Sequence, residues 1–157
     1  MKKVISLVLV ITMILALGVT AFAAGSPTGT GKKDTGITGA GGIYDENGKR
    51  VSGIPSNAVI VRYLPQANTL EPADKDAFLK AYDDAKNIEG KRLVNVVWVD
   101  VADEYKSDVG FVRYYFVTPC RNVEVTVNGK DMEVVRLGNG QYYAKLTDFG
   151  PVVITSK

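Results

Sequence analysis

Five side chains on two predicted strands have the chemistry of a binding surface. Arg113 and Tyr115 are two residues apart on one predicted strand. Gln141, Tyr143 and Lys145 occupy every second position of another. Because side chains point to opposite faces of a strand in turn, all five are expected on the outward face. Aromatic rings beside hydrogen-bonding groups suit sugar rings or protein partners. The alternative is that tyrosine favours the strand conformation and is half covered by its neighbours.

An acidic loop between two predicted strands is a weak candidate for calcium binding. Asp100, Asp103, Glu104 and Asp108 lie within nine residues. Calcium takes six to eight oxygen ligands, and a loop of this kind can supply several. The spacing matches no EF-hand loop, so the alternative is a solvated acidic turn. No other metal and no cofactor is expected.

A predicted helix carries four candidates for a catalytic carboxylate pair, Asp74, Asp76, Asp83 and Asp84. A glycoside hydrolase needs two carboxylates that face each other across a cleft, roughly 5–10 Å apart. Carboxylates on the polar face of an amphipathic helix point into water instead. We therefore interpret these residues as a solvated helix face.

The composition excludes several common mechanisms. The 157 residues include no histidine and one cysteine, which excludes histidine-based acid/base catalysis, Ser-His-Asp and Cys-His nucleophiles, and the usual zinc sites. The glycine-rich residues 29–33 lack the spacing and the flanking strand and helix of a phosphate-binding loop. We therefore expect a protein that is not an enzyme.

Cys120 is a single thiol in a chain with an export signal, described below. An odd cysteine in an oxidising compartment either stays free or pairs between two chains. The simpler interpretation is a small side chain beside Pro119 at the end of a strand. The alternative is a disulfide-linked dimer.

One helix and a series of short strands are predicted to position these residues. Apolar residues recur at helical spacing over residues 77–85, which predicts a single amphipathic helix near residues 72–87. Residues 93–101 are apolar on both faces, so that strand is expected to be central in a sheet, with Trp98 in the core. The Asn128-Gly129 and Asn139-Gly140 pairs predict tight hairpins between later strands.

The strand over residues 109–117 sets the expected core. Val112, Tyr114 and Phe116 are predicted to point inward, whereas Tyr115 points outward. Tyr114→Ala or Phe116→Ala is therefore expected to cost about 3–5 kcal/mol, and Tyr115→Ala little. Short strands with turn signals every 8–12 residues predict a mainly β, α+β domain over residues 54–157, folded as a small antiparallel β-sandwich.

The N-terminus has the pattern of a secretory signal peptide. Lys2 and Lys3 precede an apolar run, and Ala21 and Ala23 form a cleavage pattern, so residues 1–23 are expected to be removed. The alternative is a retained membrane anchor. Residues 24–53, rich in Gly, Thr and Ser, are predicted to be a flexible leader with a small hairpin at Asn47-Gly48.

The charge balance after export argues against polyanionic partners. Removal of Lys2 and Lys3 from the 19 basic side chains leaves as many as the 17 acidic ones. A nucleic-acid partner or an acidic membrane would require a basic excess. We therefore expect neither partner, and no stable membrane anchor after cleavage.

The C-terminal part of the chain resembles a known class of module. Residues 119–130 and 142–152, with the Asn128-Gly129 hairpin and the Phe149-Gly150-Pro151 turn before the last strand, resemble the closing strands of immunoglobulin-like sandwich modules. Such modules occur in uncharacterised small secreted proteins of Gram-positive bacteria. The resemblance implies an immunoglobulin-like sandwich and a surface or secreted setting, and it transfers no functional residue.

Three functions follow as hypotheses. The first is a secreted, non-enzymatic module that binds an extracellular glycan or protein. The second is an extracellular hydrolase or enzyme inhibitor that uses carboxylates and tyrosines. The third is a surface component that assembles with copies of itself through Cys120 or through an exposed strand edge.

Overall fold

Two antiparallel β-sheets packed face to face form the domain. The computed structural model describes residues 39–157. Within them, one α-helix, α1, spans Pro72–Lys86, and the strands are β1 (Gly39–Tyr44), β2 (Val59–Tyr63), β3 (Arg92–Val101), β4 (Phe111–Val117), β5 (Val123–Val127), β6 (Lys130–Asp131), β7 (Glu133–Gly138), β8 (Gln141–Leu146) and β9 (Gly150–Ser156). The first sheet has the order β1-β4-β8-β7 and the second β2-β3-β9-β5-β6. The predicted mainly β, antiparallel sandwich with one helix is confirmed.

The core lies between the inner faces of the two sheets. Val112, Tyr114 and Phe116 of β4 are buried there, as the alternation predicts. Apolar residues of β3, β5, β8 and β9 face them, and many of these side chains are completely buried. Because both sheets contribute an apolar face, each covers the surface that the other would otherwise expose to water.

A second, smaller core lies between α1 and the outer side of the second sheet. Phe78 of α1 is completely buried and meets the Trp98 ring edge-on, with 6.2 Å between the ring centres. Ala85 is also buried, whereas Ala77, at the start of the apolar stripe, is exposed. Trp98 is in the core, as predicted, and β3 is apolar on both faces because it has the sandwich on one side and the helix on the other.

The tight turns agree with the Asn-Gly signals. Asn128 and Gly129 have φ values of 50° and 77°, and Asn139 and Gly140 have 50° and 74°. Two successive residues with positive φ form the turn whose twist matches that of a two-stranded ribbon. These turns connect β5 to β6 and β7 to β8, so both predicted hairpins are confirmed.

The predicted start of the folded domain at residue 54 is too late. Residues 39–44, assigned above to the flexible leader, form β1 and pair with β4 from Gly39–Tyr115 to Tyr44–Phe111. The hairpin at Asn47-Gly48 is present, with a bridge between Tyr44 and Arg50. Backbone pairing with β4 orders this stretch despite its glycines, whose composition alone indicated a flexible chain. The signal peptide and residues 24–38 lie outside the described residues.

The described helices are short. Across residues 39–157, none combines the length and the apolar character that a membrane-spanning helix needs.

Candidate functional site

The candidate site is the outer face of the first sheet, the side that points away from the sandwich core. Strand pairing brings the five predicted residues together on this face. Tyr115 lies opposite Tyr143, Arg113 lies opposite Lys145, and Gln141 lies opposite Val117, all across the β4–β8 pair. The helix contacts the other sheet, through β3 and β9.

A row of cations crosses the middle of this face. Arg113 on β4 lies opposite Lys145 on β8, which in turn lies opposite Glu133 on β7. The Lys145 ammonium is 2.7 Å from a Glu133 carboxylate oxygen, and its side chain is partly exposed. On the other side of Arg113, Gly42 of β1 is its partner, and the Arg50 guanidinium lies over Gly42. Three cations and one carboxylate therefore form a single row.

Aromatic rings lie on both sides of the cation row. Tyr44 and Phe111 stack with 5.0 Å between ring centres and nearly parallel planes. On the opposite side, Tyr115 and Tyr143 are tilted, with ring centres 5.6 Å apart. Each aromatic pair lies two residues along the strands from the cation row, on opposite sides of it, so the whole face is a band of rings, cations and rings.

Arg113 joins the two aromatic pairs. Its guanidinium carbon lies 4.2 Å from the centre of the Tyr44 ring and 5.0 Å from the centre of the Tyr143 ring. Both distances are within the range in which a cation is attracted to the face of an aromatic ring. Burial acts to lower the pKa of the Arg113 guanidinium, but a hydrogen bond to Tyr115 and electrostatic interactions with the nearby tyrosines raise it overall. Arg113 is therefore a permanent cation held between rings.

The two predicted tyrosines do not have equal roles. Tyr143 is half-buried, but Tyr115 is buried at 7% exposure. The Tyr115 ring lies against the backbone of Gly41 in β1, where a Cβ atom would come within 2.0 Å of the ring. The expectation that Tyr115→Ala costs little is therefore wrong, because β1 was not foreseen as a neighbour of β4. Tyr143 can contact a ligand, and Tyr115 supports it.

Sequence reasoning missed three residues of this face. Tyr44 and Arg50 belong to the stretch that was predicted to be a leader. Phe111 has the alternation of an outward residue but was not assigned to the site; its ring lies 5.7 Å from the Lys145 ammonium. The apolar pair Ile43-Tyr44, separated by two residues from the Asn47-Gly48 turn, is the signal in the sequence that could have identified β1.

The candidate calcium ligands do not converge. Lys106 lies between two of them, with its ammonium 3.2 Å from Asp100 and 2.8 Å from Asp103. Glu104 and Asp108 are exposed. Within residues 39–157, no three or more His, Cys, Asp or Glu side chains lie close enough together to hold a metal ion. The ion pairs lower the pKa of Asp103, through its hydrogen bond to Lys106 first, and stabilise the charged carboxylate without a metal.

The four helix aspartates are not arranged as a catalytic pair. Asp84 forms an ion pair with Lys80 at 2.6 Å, and Asp83 forms one with Lys86 at 3.4 Å. Asp76 is exposed, and Asp74 lies in the first turn of α1, where a negative charge favours the helix dipole. Their arrangement is that of a solvated helix face.

Cys120 is a free thiol and is half-buried in the loop that follows β4. Hydrogen bonds to Ser156 and Thr118, in that order, lower its pKa. The Tyr142 hydroxyl donates a hydrogen bond to the Cys120 carbonyl at 2.7 Å. This bond ties the loop to β8 through the backbone of Cys120 and does not involve the thiol.

Comparison with known proteins gives no family for this chain. No protein-family model, curated protein or solved structure matches it.

Proposed function

We propose that this protein is a secreted, non-enzymatic module that binds an extracellular glycan through the outer face of the first sheet. The observation that carries the proposal is the position of Arg113 between the rings of Tyr44 and Tyr143. Sugar rings stack on aromatic faces, and their hydroxyl groups accept and donate hydrogen bonds at the rim. The half-buried Tyr143, flanked by Lys145 and Gln141, offers both kinds of contact.

A glycan fits this face better than a protein partner. Protein interfaces are usually anchored by large side chains that are exposed before binding and become buried. Here three of the four rings, Tyr44, Phe111 and Tyr115, are already at most 9% exposed. The side chains that remain partly exposed, Arg113, Gln141 and Lys145, are polar and lie around the Tyr143 ring, which suits a sugar chain lying across the strands.

Secretion is supported by the signal-like N-terminus and by the resemblance of the C-terminal strands to modules of secreted proteins. A binding role rather than catalysis is supported by the lack of histidine, together with the ion-paired and solvated aspartates of α1.

Co-sedimentation tests this proposal. The chain from residue 24 onward is mixed with insoluble cell wall of the producing bacterium and with insoluble polysaccharides, and is compared with Tyr143→Ala. Tyr82→Ala is the matched control, because Tyr82 is also a half-buried tyrosine but lies on α1. We expect the unaltered chain and Tyr82→Ala to be retained on at least one matrix and Tyr143→Ala to be lost.

Equal retention of all three proteins would contradict the proposed site. No retention on any matrix would contradict the proposal of glycan binding and would favour a protein partner or self-association.

A further inference from the structure

The cation row carries an excess of positive charge that the rest of the domain does not neutralise. Of its three cations, Lys145 has Glu133 as a partner. Neither Arg113 nor Arg50 forms an ion pair with any carboxylate of residues 39–157. Elsewhere in the described domain, lysines such as Lys106 and Lys130 are paired with aspartates. Other cations of the described domain, such as Arg62 and Arg92, also lack an ion pair, but Arg50 and Arg113 lie together with Lys145 on the outer face.

Arg113 is the more informative of the two unpaired cations. Its Nε atom is buried and has no hydrogen-bond partner in the described part of the chain. A charged group that is partly removed from water is costly unless an opposite charge compensates it. The guanidinium lies over the Tyr44 ring and near the Tyr143 ring, and a planar guanidinium can bind a carboxylate or phosphate group at two points.

We infer that the ligand of this face is an acidic glycan, whose anionic groups meet Arg113, Arg50 and Lys145 while a sugar ring stacks on Tyr143. This inference rests on the proposed function and adds the charge of the ligand to it. Arg113 and Lys145 lie on the neighbouring strands β4 and β8, and the Arg50 guanidinium lies over Gly42 of the adjacent β1. Neighbouring strands are about 5 Å apart, so successive charged groups of one polymer can reach the three cations. Glu133 opposes this binding, because it competes for Lys145.

The test compares polymers that differ only in charge. Binding of the chain from residue 24 onward is measured by affinity electrophoresis or calorimetry with polygalacturonate and with its methyl ester, and separately with a sugar-phosphate polymer. We expect an acidic polymer to bind about tenfold more tightly than the neutral ester, as hydrogen bonds to charged groups imply. Tighter binding of polygalacturonate than of its ester would identify a carboxylate as the anionic group that this face recognises. Binding of the sugar-phosphate polymer alone would identify a phosphodiester.

Arg50 and Glu133 are exposed and Lys145 is partly exposed, so substitutions at these positions are expected to keep the fold. Arg50→Gln and Lys145→Gln are expected to weaken binding of the acidic polymer several-fold, whereas Glu133→Gln, which frees Lys145, is expected to strengthen it. Lys80→Gln is the matched control, since Lys80 is also in an ion pair but lies on α1.

The two proposals fail in different ways. If the acid and the ester bind equally and Tyr143→Ala abolishes both interactions, the inference of an acidic ligand is overturned and the proposal of glycan binding stands. If no polymer shows binding that Tyr143→Ala weakens, both the proposed glycan site and the inferred acidic ligand are overturned.

Discussion

The Arg113 guanidinium lies 4.2 Å from the centre of the Tyr44 ring, across the pairing of β4 with β1. This contact joins a residue of a central strand to one from a stretch with the composition of a flexible leader. The part of the aromatic and cationic face that contains Tyr44 therefore exists only when β1 is in place. Stability and binding are therefore expected to be linked through this strand.

Tyr115→Ala is expected to lower the free energy of unfolding by about 3–5 kcal/mol, as a large-to-small change at a buried site does. Tyr143→Ala should cost clearly less, because Tyr143 is half-buried. Urea denaturation of both variants measures the difference. Equal losses would mean that Tyr115 is not covered by β1.

Gly41→Ala is expected to destabilise the domain by about 1–3 kcal/mol, because the new Cβ atom would overlap the Tyr115 ring. The same substitution in a Tyr115→Ala background should cost much less, since the ring is then absent. A double-mutant cycle in urea measures this coupling. Additive losses would show that Gly41 is needed for another reason.

Two hydroxyl deletions should have different effects. Tyr142→Phe removes the hydrogen bond to the Cys120 carbonyl and is expected to cost about 1 kcal/mol. The Tyr114 hydroxyl is buried next to Tyr63 without a well-formed hydrogen bond within the described residues, and burial raises its pKa. Tyr114→Phe is therefore expected to leave stability unchanged or to increase it by up to about 1 kcal/mol. A loss in Tyr114→Phe as large as that in Tyr142→Phe would contradict this assignment.

The stability of the domain is expected to depend on pH through Glu124. Hydrogen bonds from Lys157 and Lys91 lower the pKa of Glu124 from about 4.5 to about 2. Because the folded state favours the charged carboxylate, its contribution is present above about pH 4.5 and is lost as the pH falls toward 2. Urea midpoints of the unaltered chain and Glu124→Gln should differ at pH 7 and converge near pH 2. A difference that stays constant with pH would contradict this role.

Local patterns predict the strands and faces of this fold well. The alternation along β4 and β8 places Val112 and Tyr114 inside and Arg113 and Tyr143 outside, as observed. The apolar run of β3 indicates a strand covered on both sides, and the Asn-Gly pairs give the hairpins. These features depend on neighbouring residues, so the sequence alone contains them.

Other features depend on pairings between distant segments. The glycines of β1 have no side-chain period, and the strand forms because its backbone hydrogen-bonds to β4. The burial of Tyr115 follows from that pairing and cannot be seen in β4 itself. The ion pairs of Lys106 with Asp100 and Asp103 likewise depend on how the loop folds. The sequence shows only the cluster of carboxylates, which is why it indicates a calcium site.

Chemical-shift mapping by NMR tests the central claim most directly. The labelled chain is titrated with soluble fragments of a polysaccharide that retains it, and the shifts of assigned amides are followed. We predict that perturbations are confined to β1, β4, β8, Arg50 and Glu133 and are centred on Tyr143, with α1 unaffected, and that they disappear in Tyr143→Ala. Perturbations centred on α1 or on the second sheet would contradict the account.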